Sequence, residues 1–134
     1  MKRIIQTPDA PAAVGPYSQA VEYDGMLFVS GQVPLDPATG KIVHGGIREQ
    51  TARVLHNIRA ILNKAGYKPC DVIKCTCLLS DMEDFRAMNE EYASFFPDDP
   101  PARAAFAVKE LPLGALVEIE CIAAKKNRRA DPGG

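Results

Sequence analysis

The sequence predicts an α+β fold, a two-layer sandwich in which two helices cover one face of a mixed sheet, and three observations carry that prediction. Two long segments repeat apolar residues every three to four positions, six shorter ones read as extended, and the helical segments interrupt the extended ones in the order β-β-β-α-β-α-β-β. The last strand also alternates cleanly: Val117, Ile119, Cys121 and Ala123 fall on one face, and Glu118, Glu120 and Ile122 on the other. A face that mixes carboxylates with apolar groups suits a subunit interface with a site in it better than plain solvent.

Each element has its own signal. Residues 17–23 and 26–33 flank Asp24-Gly25, a dipeptide that tolerates positive φ at both central positions of a tight hairpin. The turn Asp36-Pro-Ala-Thr-Gly40 leads to a short third strand at 41–43. Ile47, Val54, Leu55, Ile58, Ile61, Leu62 and Ala65 form the stripe of a helix of about five turns, stopped by Gly66. A strand follows at 71–79, with Cys75 and Cys77 on one face as buried filler. Ser80-Asp-Met-Glu83 has the form of a capping box and opens a second helix striped by Phe85, Met88, Tyr92, Phe95 and Phe96, which ends at Pro97. Strands at 104–108 and 115–124 complete a single domain over residues 1–124, and residues 125–134 form a polar tail.

Composition limits the function. With 46% hydrophobic residues, 25% charged residues and a net charge of −1, the chain suits a packed domain and has no global field to draw it onto nucleic acid. No apolar run is long enough to span a membrane. The N-terminus MKRIIQTPDAP lacks the core of a signal peptide and the pattern of a transit peptide, so a cytoplasmic protein is expected. The four cysteines and two histidines make no metal-ligand pattern, and no phosphate loop or dinucleotide fingerprint appears, so the expected chemistry needs no cofactor and no metal.

Arg103 opens a strand after a rigid Pro-Pro-Ala and offers a planar fork for a carboxylate. Glu118 and Glu120, two apart on one face, repel each other, which with burial raises a pKa toward the range of a general acid or base. Arg103 and Glu118 equally read as a structural ion pair. Asn89, on the margin of an apolar stripe, reads either as a border residue capping a loop or as a hydrogen-bonding partner for a ligand. Tyr17 after Gly15-Pro16, and Ser30 beside Gly31, put hydroxyls next to exposed backbone amides. Neither His44 nor His56 is placed to act as a base for Ser30.

GPYSQAV (15–21), VSGQVPLDPATG (29–40), VIKCTCLLSDMEDF (72–85), MNEEYASFF (88–96), PARAAFAV (101–108) and EIECIA (118–123) together resemble the RidA (YjgF) family over residues 4–124, with PARAA followed by an E-I-E strand its most specific feature and ARAA closest to animal-type members. The resemblance implies a chorismate-mutase-like fold, a homotrimer around a central barrel, and sites in the clefts between subunits. It further implies cofactor-independent hydrolysis of 2-imino and 2-enamino acids, such as 2-iminobutanoate and 2-iminopropanoate, to 2-oxo acids and ammonia. By position, Arg103 matches the arginine that grips the substrate carboxylate and Glu118 the acid that places and activates water. Tyr17, Ser30, Gly31 and Asn89 match pocket residues. Ala105, where bacterial members often carry cysteine, contributes only backbone groups, and Pro100 replaces the usual Phe. Two competing readings are an endoribonuclease or translation inhibitor and a non-enzymatic trimeric chaperone or metabolite-binding protein.

Overall fold

A computed structural model describes residues 1–125. Six strands, β1 (Arg3–Ile5), β2 (Ala20–Tyr23), β3 (Met26–Gln32), β4 (Val72–Leu79), β5 (Ala102–Ala107) and β6 (Val117–Ala124), form one sheet in the order β1-β2-β3-β6-β4-β5. Every pairing is antiparallel except β4 with β5, which the second helix connects. The helices are α1 (Ile47–Ala65) and α2 (Phe85–Phe95). The predicted α+β sandwich and its element order are observed.

The core lies between the helices and one face of the sheet. Val54, Ile58, Ile61 and Leu62 of α1, with Met88 and Tyr92 of α2, pack over Leu27, Val29, Cys75, Cys77, Leu79, Val117, Ile119, Cys121 and Ala123. Each fully buried aliphatic side chain of this kind contributes roughly 1.5–3 kcal/mol. Cys75, Cys77 and Cys121 are core filler, whereas Cys70 is exposed; burial pushes the Cys77 thiol up to about 12, far from thiolate chemistry. Gly66 ends α1 at φ 86, a left-handed cap that donates its amide to the carbonyls of Asn63 and Leu62. The tight turn at Asp24-Gly25 has φ 50 and 76, as its dipeptide requires.

Three local expectations are corrected. The third N-terminal strand is not 41–43, which makes only an isolated bridge between Leu35 and Ile42; the extra strand is β1, at the chain start, paired with β2 through Arg3–Glu22 and Ile5–Ala20. The strand expected from Tyr17 begins at Ala20, which leaves Tyr17 in the preceding turn. Ser80 does not cap: Asp81 does, its carboxylate accepting from the Glu83 amide at 2.9 Å ahead of a short 3-10 turn, Met82–Asp84, that leads into α2. Beyond Lys125, the polar tail lies outside the described residues.

Candidate functional site

The sheet has a helix face and an open face, and the candidate residues divide between them. Arg103 on β5 lies opposite Cys75 on β4, and Cys75 lies opposite Cys121 on β6. Both cysteines are buried under the helices, so Arg103 projects on the helix face. Glu118 is three residues from Cys121 on the same strand and projects from the open face. Within one chain the two are therefore on opposite faces of the sheet with β4 between them. The alternative reading of the two as a structural ion pair does not hold: no such pair forms among the described residues.

One cluster surrounds Arg103 at the sheet edge. Its Nη1 donates to the Asn89 Oδ1 at 2.6 Å, and the guanidinium lies 4.8 Å over the ring of Tyr92 and 5.4 Å over that of Phe85. Phe85, Asn89 and Tyr92 sit at positions i, i+4 and i+7 of α2, so one helix face supplies all three supports. A neutral amide and two aromatic rings hold the cation, and among the described residues it has neither a carboxylate partner nor a second hydrogen bond. Ala105, two residues on, shares this face and packs against the core.

The other cluster surrounds Glu118. Pairing of β3 with β6 runs Val29–Cys121 and then Gln32–Ile119, so β3 carries one extra residue there. This bulge places Ser30 and Gly31 beside Glu118. A Cβ on Gly31 would land on the Glu118 carboxylate, with Cδ at 2.9 Å and Cγ at 3.3 Å, so the carboxylate occupies the space that glycine leaves. The Ser30 hydroxyl donates to the Ser18 carbonyl at 2.6 Å, which fixes its oxygen toward the turn that carries Tyr17. Tyr17, Ser30, Gly31, Glu118 and Glu120 all line one cleft of about 650 Å³. Burial, reinforced by the Glu120 charge, raises the Glu118 carboxyl above the usual carboxylate range. No described side chain donates a hydrogen bond to it.

The structure thus brings Tyr17, Ser30, Gly31 and Glu118 together, and separately Asn89, Arg103 and Ala105. The sequence reading missed the aromatic floor under Arg103, although Phe85 and Tyr92 were visible as an α2 stripe in register with Asn89. It also missed Gln19, buried below the cleft, whose amide ties down the backbone of Thr7, Ala10 and Pro11 and so fixes the loop leading to Tyr17. Leu113, exposed at the cleft rim with φ 58, was likewise not singled out. Among the described residues no group of three His, Cys, Asp or Glu side chains could hold a metal ion. No helix among them is long and apolar enough to cross a membrane.

The chain matches the family described as Endoribonuclease L-PSP over residues 7–125. It is 53% identical to a RutC family protein of Pyrococcus horikoshii, covering 94% of this chain and all of that protein. It is 49% identical to the 2-iminobutanoate/2-iminopropanoate deaminase of Mus musculus, covering 92% of this chain and 91% of the relative. Among solved structures, E. coli TdcF with bound serine superposes with a TM-score of 0.89 at 39% identity, over 92% of this chain and 99% of that one. The chain belongs to the Endoribonuclease L-PSP family, which is the RidA family of the resemblance, and its sheet and helices have that family's chorismate-mutase-like fold.

Proposed function

We propose that this protein hydrolyses small 2-imino acids to 2-oxo acids and ammonia, without a cofactor, in clefts where Arg103 of one subunit meets Glu118 of the next in a homotrimer. The observation that carries the reading is a positioned cation without an internal counter-charge: Arg103 is oriented by Asn89, Tyr92 and Phe85 and has no carboxylate partner among the described residues. A planar fork prepared in this way suits the carboxylate of a small acid. The animal relatives named 2-iminobutanoate/2-iminopropanoate deaminase, 45–50% identical, support the substrate class.

Water adds to the imine carbon as Glu118 accepts one of its protons and passes it to the nitrogen; the resulting carbinolamine then gives up its hydroxyl proton to that nitrogen by the same route, and the C–N bond breaks to leave the 2-oxo acid and ammonia. The net change is one imine and one water to one 2-oxo acid and one ammonia. The imine carbon is already electrophilic, so most of the task is orientation, a factor worth up to ~7–11 kcal/mol in favourable cases. Tyr17, Ser30 and Gly31 wall the water side of the cleft, and Asn89 acts through Arg103. We place this chemistry in the cytoplasm, after dehydratase reactions that release such imines.

The test couples a threonine dehydratase to the protein and follows 2-oxobutanoate release. Arg103→Ala is expected to lower the catalysed rate by about a hundredfold, the scale of one lost charge-assisted contact, with the oligomeric state on a sizing column unchanged. Wild-type turnover in that variant removes the carboxylate clamp, and no acceleration by the wild-type protein removes the imine reading.

A further inference from the structure

A second, larger concavity of about 1210 Å³ shares no lining residue with the Glu118 cleft. It runs along α1 between the loop at Thr7–Asp9, the turn at Pro37 and the segment 67–69 after the helix. Its charge is one-sided: Arg53, Arg59, Lys64, Lys68 and His56 line it, and among the described residues Asp9 is the one acidic member of the lining. The sequence explains the imbalance, because no Asp or Glu occurs between Gln50 and Cys70 in a chain that has 17 of them.

Surface cations on a helix normally find acidic partners three or four residues away or on a neighbouring element. Arg48, one turn before the groove, does so, with Glu90 of α2 at 2.6 Å. None of the four groove cations forms an ion pair among the described residues. Lys64 in the last turn complements the helix dipole, but Arg53 and Arg59 lie too far from the C-terminus for that to account for them.

Arg53 is also built into place. Its Nε and Nη2 both donate to the Asn57 Oδ1, at 3.1 and 2.9 Å. Asn57 is fully buried and anchored by its own amide to the carbonyls of Val33 and Leu35. The Arg53 guanidinium is thereby held against the scaffold, with no hydrogen bond from Nη1 among the described residues. Between the two arginines, the His56 imidazole is held below its ordinary value by burial and by both positive charges. Like charges concentrated without compensation cost the folded state, and an anion in the groove would relieve that cost.

We propose that this groove binds a small ligand carrying a diphosphate or comparable row of phosphate oxygens, at a site separate from the imine cleft. Arg53 and Lys64 are eleven residues apart on one helix, about 16 Å at 1.5 Å per residue. That reach suits a nucleotide-sized anion better than a lone carboxylate. Arginine forks and lysine ammonium groups together match phosphate oxygens.

Calorimetric titration of the full chain with pyrophosphate and with ADP at 150 mM salt tests the site. Expected is saturable binding of both probes, with ADP weakened about tenfold by Arg53→Gln and by Lys64→Gln, as for a lost charge-assisted contact, and the shorter pyrophosphate weakened by that factor in at least one of the two. Arg48→Gln removes the same charge outside the groove and should leave the affinity unchanged, and imine hydrolysis should be unaffected by all three. The proposal is overturned by no binding at that salt concentration, by equal weakening in Arg48→Gln, or by capture of a 12-nucleotide RNA with neither small probe bound. Because Lys64 is exposed, its variant reports on the site even if Arg53→Gln fails to fold.

Discussion

At Glu118 the carboxyl group is partly withdrawn from water, faces Glu120 two residues on, and receives no hydrogen bond from any described side chain. Ionising it therefore costs more in the folded chain than in the unfolded one. A raised folded pKa means that this group's contribution to stability is fully present below the ordinary carboxylate value of 4.5 and is lost as pH rises through the raised value. At neutral pH the native protein bears that cost in full. Glu118→Gln should therefore melt at a higher temperature than wild type at pH 7, with the difference closing below pH 4.5, while imine hydrolysis falls. The wild-type rate should also decline on the acid side as the Glu118 carboxylate becomes protonated, and the Glu118→Gln variant should lack that limb. A lower melting temperature for the variant at pH 7 would mean that Glu118 is a structural partner and not a group held unpaired for chemistry. The alternation around Glu118 was legible from the sequence because strand periodicity fixes which face a residue takes. The partner of Asn89 was not legible, since Arg103 lies fourteen positions on, beyond the end of α2 and the connector at 96–101, and only packing brings them to 2.6 Å.

The bulge on β3 is the element that makes room for that carboxylate. Straight pairing of β3 with β6 would carry alternation evenly through Ser30 and Gly31; the extra residue between Val29 and Gln32 instead sets Gly31 against Glu118. Gly31→Ala is expected to keep the fold, because the atom its Cβ meets is the mobile end of a side chain and not backbone. Displacement of the carboxylate should lower kcat for imine hydrolysis by tenfold or more, in the range attributed to a positioned base. Circular dichroism and sizing chromatography, alongside the coupled assay, separate this outcome from unfolding; unchanged kcat would show that the carboxylate position is not constrained. A bulge has no reliable sequence signal beyond a glycine in a strand, which is why the register was not predicted. The strand at Arg3–Ile5 was missed for a similar reason: three residues show no periodicity, and β1 exists because the exposed side of β2 offers a hydrogen-bonding edge. The segment at 41–43 has the right composition but only a single bridge to Leu35. Long, strongly periodic α1 was read to within its cap, because Gly66 and nine buried positions repeat one message over 19 residues.

For the molecule as a whole, the near-zero net charge concealed a polarised surface: a count of 16 basic against 17 acidic residues cannot reveal that the Gln50–Cys70 stretch contains no acid at all. Face assignment has a larger consequence. Arg103 and Glu118, the two residues given the central chemical roles, lie on opposite faces of one sheet, so a site that uses both must take them from different chains. The open face offers Glu118, Tyr17 and Ser30, while the β5 edge with α2 offers Arg103 and Asn89, and a closed ring of subunits can bring each edge to the next cleft. This arrangement predicts complementation. Arg103→Ala and Glu118→Gln should each be nearly inactive alone. Unfolded together in equal amounts and refolded, they should form mixed rings in which a site is intact whenever its arginine comes from a Glu118→Gln chain and its glutamate from an Arg103→Ala chain. Random assembly makes about a quarter of the sites intact, so about a quarter of wild-type activity should return on mixing. Mixing the folded variants without subunit exchange should recover nothing. If co-refolded chains that sizing and tag pull-down show to be mixed stay inactive, Arg103 and Glu118 do not meet across a subunit boundary.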